Sequence, residues 1–215
     1  MVFDLRDWLP ILLTGAEITV FLTFTSMAVG LVLGLPLAVA RLDSKKWFAY
    51  IPATVIVELI RGIPLLVFLY YIFFVLPFFG IRLDPIPTAI IGLGVSYGCY
   101  LSEVYRAGIV AIDQGQWEAA AALGLPGLTT LRHIILPQAI RIVIPPIGNM
   151  FIGLFKDTAL VSIVSVQELM FTGRLLAAEN FRYLEVFTLV AAIYLIVSLP
   201  SAQGVRYLEK RLKVK

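Results

Sequence analysis

The stretch Glu118–Arg141, EAAAALGLPGLTTLRHIILPQAIR, interrupts a chain that is otherwise mostly apolar. Together with the residues ahead of it, IDQGQWEAAAALGLPG, it has both ends of a short helix written in. Asp113 supplies an N-cap, and Gln116 three residues later has the capping-box spacing. Glu118 falls near the positive end of the helix dipole. Ala119 to Ala122 are strong helix formers, and Gly124, reinforced by Pro126, stops the helix. A second helix is expected from near Thr129, with Leu131, Ile134 and Ile135 on one side and Arg132 and His133 on another. Residues 113–141 therefore read as helix, sharp turn, helix. Small side chains let such a helix lie close in a groove of a partner; the same residues would also suit a surface helix packed on its own bundle. His133 alone makes a poor metal site or proton relay, because no other ligand accompanies it.

The surroundings set the class. Of the 215 residues, 60% are hydrophobic and 14% charged, where a soluble domain carries about a quarter charged. This is the composition of an integral membrane protein. Five long apolar runs stand out: Thr19–Ala40, Ile51–Phe79, Pro87–Ile112, Ile142–Val166 and Val186–Val205. A bilayer core takes about 20 apolar residues per helix, and without water there each run must satisfy its own backbone hydrogen bonds. The expected fold is all-α, with five transmembrane helices forming one membrane domain over residues 1–215. Pro36, Pro64 and the pair Pro145 and Pro146 are candidate kinks. The opening MVFDLRDWLPILLTG lacks a basic n-region and a small-residue cleavage site, so the first run is expected to stay. Cys99 is the only cysteine, which excludes an internal disulfide or a cysteine metal cluster.

Lys and Arg in the connections orient the chain. Arg41, Lys45, Lys46, Arg132, Arg141 and the basic tail RYLEKRLKVK fall on one side; Arg6, Arg82, Arg174 and Arg182 fall on the other. The expected N-terminus is outside, with the C-terminus and residues 113–141 in the cytoplasm. A membrane flank accounts for the basic tail without any nucleic acid partner. Gly30 and Gly34 form a GxxxG pair that permits close helix approach. The connection FTGRLLAAENFRYLE is polar enough for the outer surface.

The central stretch resembles the EAA loop of ABC importer permeases: Glu118, Ala119 and Ala120, then Gly124, then Ile134, Leu136 and Pro137, with no departure from the pattern. YLSEVYRAGIVAIDQGQWEAA, VELIRGIPLLVFLYY and FKDTALVSIVSVQEL resemble the polar amino acid subclass of these permeases. The resemblance implies a type I importer subunit whose EAA loop forms coupling helices seated in a cleft of each ATPase subunit. It also implies a dimer of ABC ATPase subunits, a second permease subunit, identical or related, and an extracytoplasmic amino-acid-binding protein. The chain has no G-x-x-x-x-G-K-[ST] sequence with which to cradle ATP phosphates. ATP and Mg2+ are therefore expected on the partner ATPase, and no cofactor on this chain.

Ionisable residues at membrane depth tend to face a polar pathway or a partner. Glu58 with Arg61, and Glu103 with Arg106, have the i,i+3 spacing that also lets them neutralise each other along a helix. Asp157 follows Lys156 directly, and such neighbours point in different directions. Asp157 and Glu58 lead the substrate candidates, with Lys156, Thr158 and Arg61 beside them. An acid compensates a substrate ammonium that loses hydration, and two acids favour a basic amino acid such as arginine, lysine or histidine. An importer for another small polar solute is the nearest rival. A secondary transporter or channel would need no ATPase-docking element, and an enzyme would need a catalytic cluster that one His, one Cys and scattered acids do not make.

Overall fold

The computed structural model describes residues 5–212, which fold as helices joined by short turns. The tail lysines Lys213 and Lys215 lie outside the described residues. Helix α1 (Leu5–Ala40) begins well ahead of the first apolar run and continues through Pro10 and Pro36 without a break. One stripe of it is buried: Trp8, Leu12, Thr19, Leu22, Ser26, Met27, Ala38 and then Arg41. Thr19 and Thr23 satisfy their hydroxyls on the carbonyls of Gly15 and Thr19, one turn back, at 3.2 and 2.7 Å.

The second run is not one straight helix. Helix α2 (Trp47–Gly62) and the segment Leu65–Phe79 meet at 103°. The latter comprises α3 (Leu65–Tyr70), a π turn (Tyr71–Val75) and a 3-10 turn (Leu76–Phe79). Pro64 does more than kink the helix. It disfavours α geometry in the residue before it, and Ile63 and Pro64 are both extended, with ψ of 132° and 133°.

Helix α4 (Pro85–Val110) lies across α1 as the most enclosed helix of the bundle. Gly30 and Gly34 open this crossing: a Cβ on Gly30 would stand 3.3 Å from the Gly94 carbonyl, and one on Gly34 2.8 Å from the Gly98 carbonyl. The partner of the GxxxG pair is thus α4 of the same chain, which presents its own Gly94 and Gly98. In lipid, where apolar surface gains nothing by leaving the solvent, backbone contact of this kind holds helices together.

Helix α5 (Gln114–Ala122) follows. The helix predicted from Thr129 starts at Gly127 as α6 (Gly127–Thr130). It continues through a π turn (Leu131–Ile135), α7 (Leu136–Asp157) and a 3-10 turn (Thr158–Val164). Helix α8 (Leu169–Asn180) and α9 (Tyr183–Leu212) complete the bundle. Among the described residues, three stretches, Asp7–Ala40, Gly127–Val164 and Tyr183–Leu212, are long and apolar enough to cross a membrane, and the bent α2–α3 pair makes a fourth. The connection expected at the outer surface is α8, which buries Leu169, Leu176 and Ala177 against α1 and α9.

Candidate transport pathway and coupling segment

Asp157 is the last residue of α7, where the negative end of the helix dipole disfavours a carboxylate. It is held there by the Tyr97 hydroxyl, which donates to Oδ2 at 2.8 Å. Tyr97 sits at the middle of α4, so the acid lies deep in the bundle. Both residues line an open cavity of about 400 Å³, with Ser96 and Tyr100 from the same face of α4 and Asn149 and Gly153 from one face of α7. This is within the range of small-molecule sites, about 300–1,000 Å³. Gly153 keeps the approach clear, since a Cβ there would stand 3.2 Å from the Tyr97 hydroxyl. Leu65 and Met150 complete an apolar wall against a few convergent polar groups.

The other candidates separate from Asp157. Lys156 is exposed, and Thr158 is fully buried, donating to the Phe155 carbonyl at 2.7 Å. Glu58 does not line the cavity. It joins an ion cluster with Arg41 at 3.4 Å and Arg61 at 3.8 Å. Glu103 is the centre of that cluster, paired with Arg41, with Arg61 at 3.6 Å and with Arg106 at 2.9 Å. The i,i+3 pairs therefore do neutralise each other, and Arg41, whose side chain is only 7% exposed, ties both to the end of α1. Arg61 lies one ring from the cavity, its guanidinium 5.4 Å from the centre of the Tyr100 ring. The juxtaposition of Asp157 with Glu58 needed for two acids on one substrate is absent.

Sequence reasoning missed Tyr97, Asn149 and Gly153. Asn149, Gly153 and Asp157 repeat at four-residue spacing, which marks one helix face; Tyr97 is 60 positions from its partner, and no spacing points to it.

At the other end of α7, residues 113–141 form the helix, turn and helix that the sequence predicts. Asp113 caps α5 by accepting from the Gly115 backbone at 2.7 Å. The capping box does not close: the Gln116 side chain turns to Gln138 instead, at 3.2 Å. Gly124 adopts φ of +72°, and the turn closes with Gly124 N–H on the Ala121 carbonyl at 2.9 Å and Leu125 N–H on the Ala120 carbonyl at 3.1 Å. Glu118, Ala119 and Gly124 are exposed, whereas Ala120 is buried. Further on, Ile134 and Leu136 are half-buried and Pro137 is exposed. Leu123 and Leu128, on either side of the turn, are 78% and 77% exposed.

The chain is similar to known proteins over nearly its whole length. The chain is 40% identical over 204 residues to the probable amino-acid ABC transporter permease protein y4tG of Sinorhizobium fredii, covering 95% of this chain and 88% of that one. It is 39% identical over 216 residues to the glutamine transport system permease protein GlnP of Escherichia coli, covering 97% and 98%. To the L-cystine transport system permease protein TcyB of Bacillus subtilis it is 40% identical over 208 residues, covering 96% and 88%. Among solved structures, the crystal structure of an amino acid ABC transporter with histidines superposes with a TM-score of 0.92 at 32% identity, covering 98% of this chain and 100% of that one. The inward-facing MetNI methionine ABC transporter, at 21% identity and full coverage of both chains, shares the fold with a TM-score of 0.77. Residues 9–214 match the family of binding-protein-dependent transport system inner membrane components. The chain belongs to that family, the permease subunits of ABC importers, in which ATP hydrolysis is the work of a separate subunit.

Proposed function

We propose that this permease imports a polar amino acid, and that the Asp157 cavity is where the substrate rests on its way through. The observation that carries this reading is a lone carboxylate at mid-bundle, oriented by Tyr97 and facing open space. Asp157 takes the α-ammonium, and Asn149, Ser96 and Tyr100 offer hydrogen bonds to the carboxylate and side chain. The expectation of a basic amino acid relied on Glu58 as a second acid. With Glu58 committed to the ion cluster, one acid balances one ammonium, and an uncharged polar side chain fits best, as in the relative named for glutamine. A second reading, a basic or histidine-like side chain, draws on the likeness to a transporter solved with histidines.

Five spans cross the bilayer, with α4 as the fifth; being enclosed by its neighbours, α4 needs less apolar surface than a lipid-facing helix. The N-terminus is outside, and the C-terminus and residues 113–141 are cytoplasmic. Two permease subunits enclose one pathway, a binding protein delivers the substrate from outside, and two ATPase subunits use ATP and Mg2+ to rock the halves between inward-open and outward-open states. Glu118, Ala119, Ala120, Gly124, Ile134, Leu136 and Pro137 belong to the segment that meets the ATPase.

Uptake of labelled glutamine, cystine, histidine and arginine by the complex in liposomes tests the substrate reading. Glutamine or cystine is expected to be taken up in preference to arginine. Asp157→Asn should weaken apparent affinity about tenfold or more, since a hydrogen bond to a charged group contributes about 1.5–3 kcal/mol. Unchanged affinity in that variant would remove Asp157 from the site, and preferred uptake of arginine or histidine would favour the second reading.

A further inference from the structure

Helix α5 is loosely bedded on the bundle. Trp117, half-buried, reaches a small core built on Ile112, Ile135 and Ala139. Beside it a cavity of about 510 Å³, lined by Leu42, Ile109, Gln114, Trp117 and Leu131 among others, separates the helix from the end of the bundle. Gln114, Gln116, Glu118, Ala119, Ala121 and Ala122 are exposed. A helix held this way transmits a push poorly unless something ties it to the element that must move.

The path into α7 is also irregular. The backbone enters through the π turn Leu131–Ile135, where the Leu136 N–H donates to the Leu131 carbonyl five residues back. Pro137 follows with no N–H of its own. One side chain spans this junction. The Gln138 amide donates to the Ile134 carbonyl at 2.8 Å and to the Gln116 Oε1 at 3.2 Å. Among the described residues, the bond to Gln116 is the one side-chain hydrogen bond joining α5 to α7. Its two protons suit both acceptors, a task that neither a carboxylate nor an apolar side chain of the same length performs.

We infer that Gln138 is the positioning residue that makes the coupling helix and the pathway helix one lever: its amide clamps Gln116 of α5 to the π turn ahead of α7, so that displacement of α5 is passed to α7 instead of being absorbed in the turn. The inference rests on the reading of residues 113–141 as the ATPase-docking segment. Gln116 and Gln138 act as a pair, although Gln138 lies beyond the short coupling helix itself.

The test measures the α5–α7 distance in the assembled transporter by pulsed electron resonance, with spin labels at Ala122 and Ile140 in a Cys99→Ala background, diluted with unlabelled permease so that each complex carries at most one labelled copy. The permease is reconstituted with its ATPase subunit, and distances are taken nucleotide-free and trapped with ATP, Mg2+ and vanadate. The unsubstituted pair is expected to give one narrow distance that is the same in both states. Gln138→Met, which removes both bonds at nearly constant volume, should broaden the distribution and make it shift on trapping. Gln116→Ala, which favours helix and leaves α7 untouched, should do the same. Unshifted, narrow distances in either variant overturn the clamp. Glu118→Lys, which leaves the clamp intact, probes the docking reading separately: normal coupling of ATP hydrolysis to uptake in that variant overturns docking, whatever the distances show.

Discussion

A methyl group at position 153 would stand 3.2 Å from the hydroxyl that holds Asp157, closer than ordinary contact. Gly153→Ala therefore tests the geometry of the cavity without touching its charge. Displacing the Tyr97 hydroxyl weakens a hydrogen bond to a charged group, of the kind that contributes about 1.5–3 kcal/mol, so apparent substrate affinity is expected to fall about tenfold or more. Helix stability itself should not suffer, because Ala is better than Gly in a helix interior by roughly 0.5–1 kcal/mol. Tyr97→Phe should give a similar loss, and the two changes together no more than either alone, since both break one interaction. The concentration dependence of uptake in the three variants checks this, and multiplicative losses would show that the two residues act separately. At this scale the sequence was partly legible. Asp157 declared itself by the direction it takes relative to Lys156, and the Glu58–Arg61 and Glu103–Arg106 pairs by their spacing. Their joining through Arg41 did not, because that residue is 17 positions from Glu58, in the turn just past the end of α1.

Among the elements, α8 depends most on one buried acid. Glu168 is fully buried and caps the helix, accepting from Met170 and Phe171 N–H at 2.9 and 2.7 Å, from the Tyr194 hydroxyl at 3.3 Å and from Thr19 at 3.4 Å. It thereby ties α1, α8 and α9 together. Burial pushes its carboxyl above the usual range, and the hydrogen bonds only partly draw it back. A raised folded-state pKa means that the native state binds the proton more tightly than the unfolded chain. This contribution to stability is complete below the ordinary carboxylate pKa and is lost as pH rises through the folded value. The melting temperature of the detergent-solubilised protein, compared with Glu168→Gln, should thus improve as pH falls from neutral toward about 5. A difference between the two proteins that does not vary with pH would mean that Glu168 titrates normally. The element boundaries show why sequence reading stops where it does. Apolar runs report where a helix can lie in lipid, but α1 starts earlier because Trp8 and Leu12 pack on α8 and α9, a tertiary contact. Pro64 marks a break, but the 103° bend requires two consecutive extended residues, Ile63 and Pro64. Gly30 and Gly34 announce a close crossing without naming α4.

For the whole molecule, the question is whether the exposed turn within residues 113–141 or its buried anchor would carry the proposed coupling to the ATPase. Gly124 separates the two. Its φ of +72° requires a left-handed residue, yet a Cβ there would meet nothing within 4 Å. Any larger side chain therefore costs backbone strain of roughly 1–2 kcal/mol and projects outward, next to the exposed Leu123, without disturbing the bundle. Gly124→Val should leave the protein in the membrane and folded, because the strain falls on an exposed turn far from the central core. Glu118→Lys should do likewise, since the side chain is exposed and mid-helix. Both variants are expected to lower amino acid uptake per ATP hydrolysed about tenfold, within the range given by coupling free energies of about 1–3 kcal/mol. Trp117→Ala reports on the anchor instead: it opens the core around Ile135 and Ala139, so thermal stability falls along with uptake. If Gly124→Val and Glu118→Lys couple normally, the exposed face of residues 113–141 does not dock the ATPase, and a loss in Trp117→Ala then follows from its opened core. The uptake-to-hydrolysis ratio in liposomes, measured beside a melting curve for each variant, distinguishes the two arrangements.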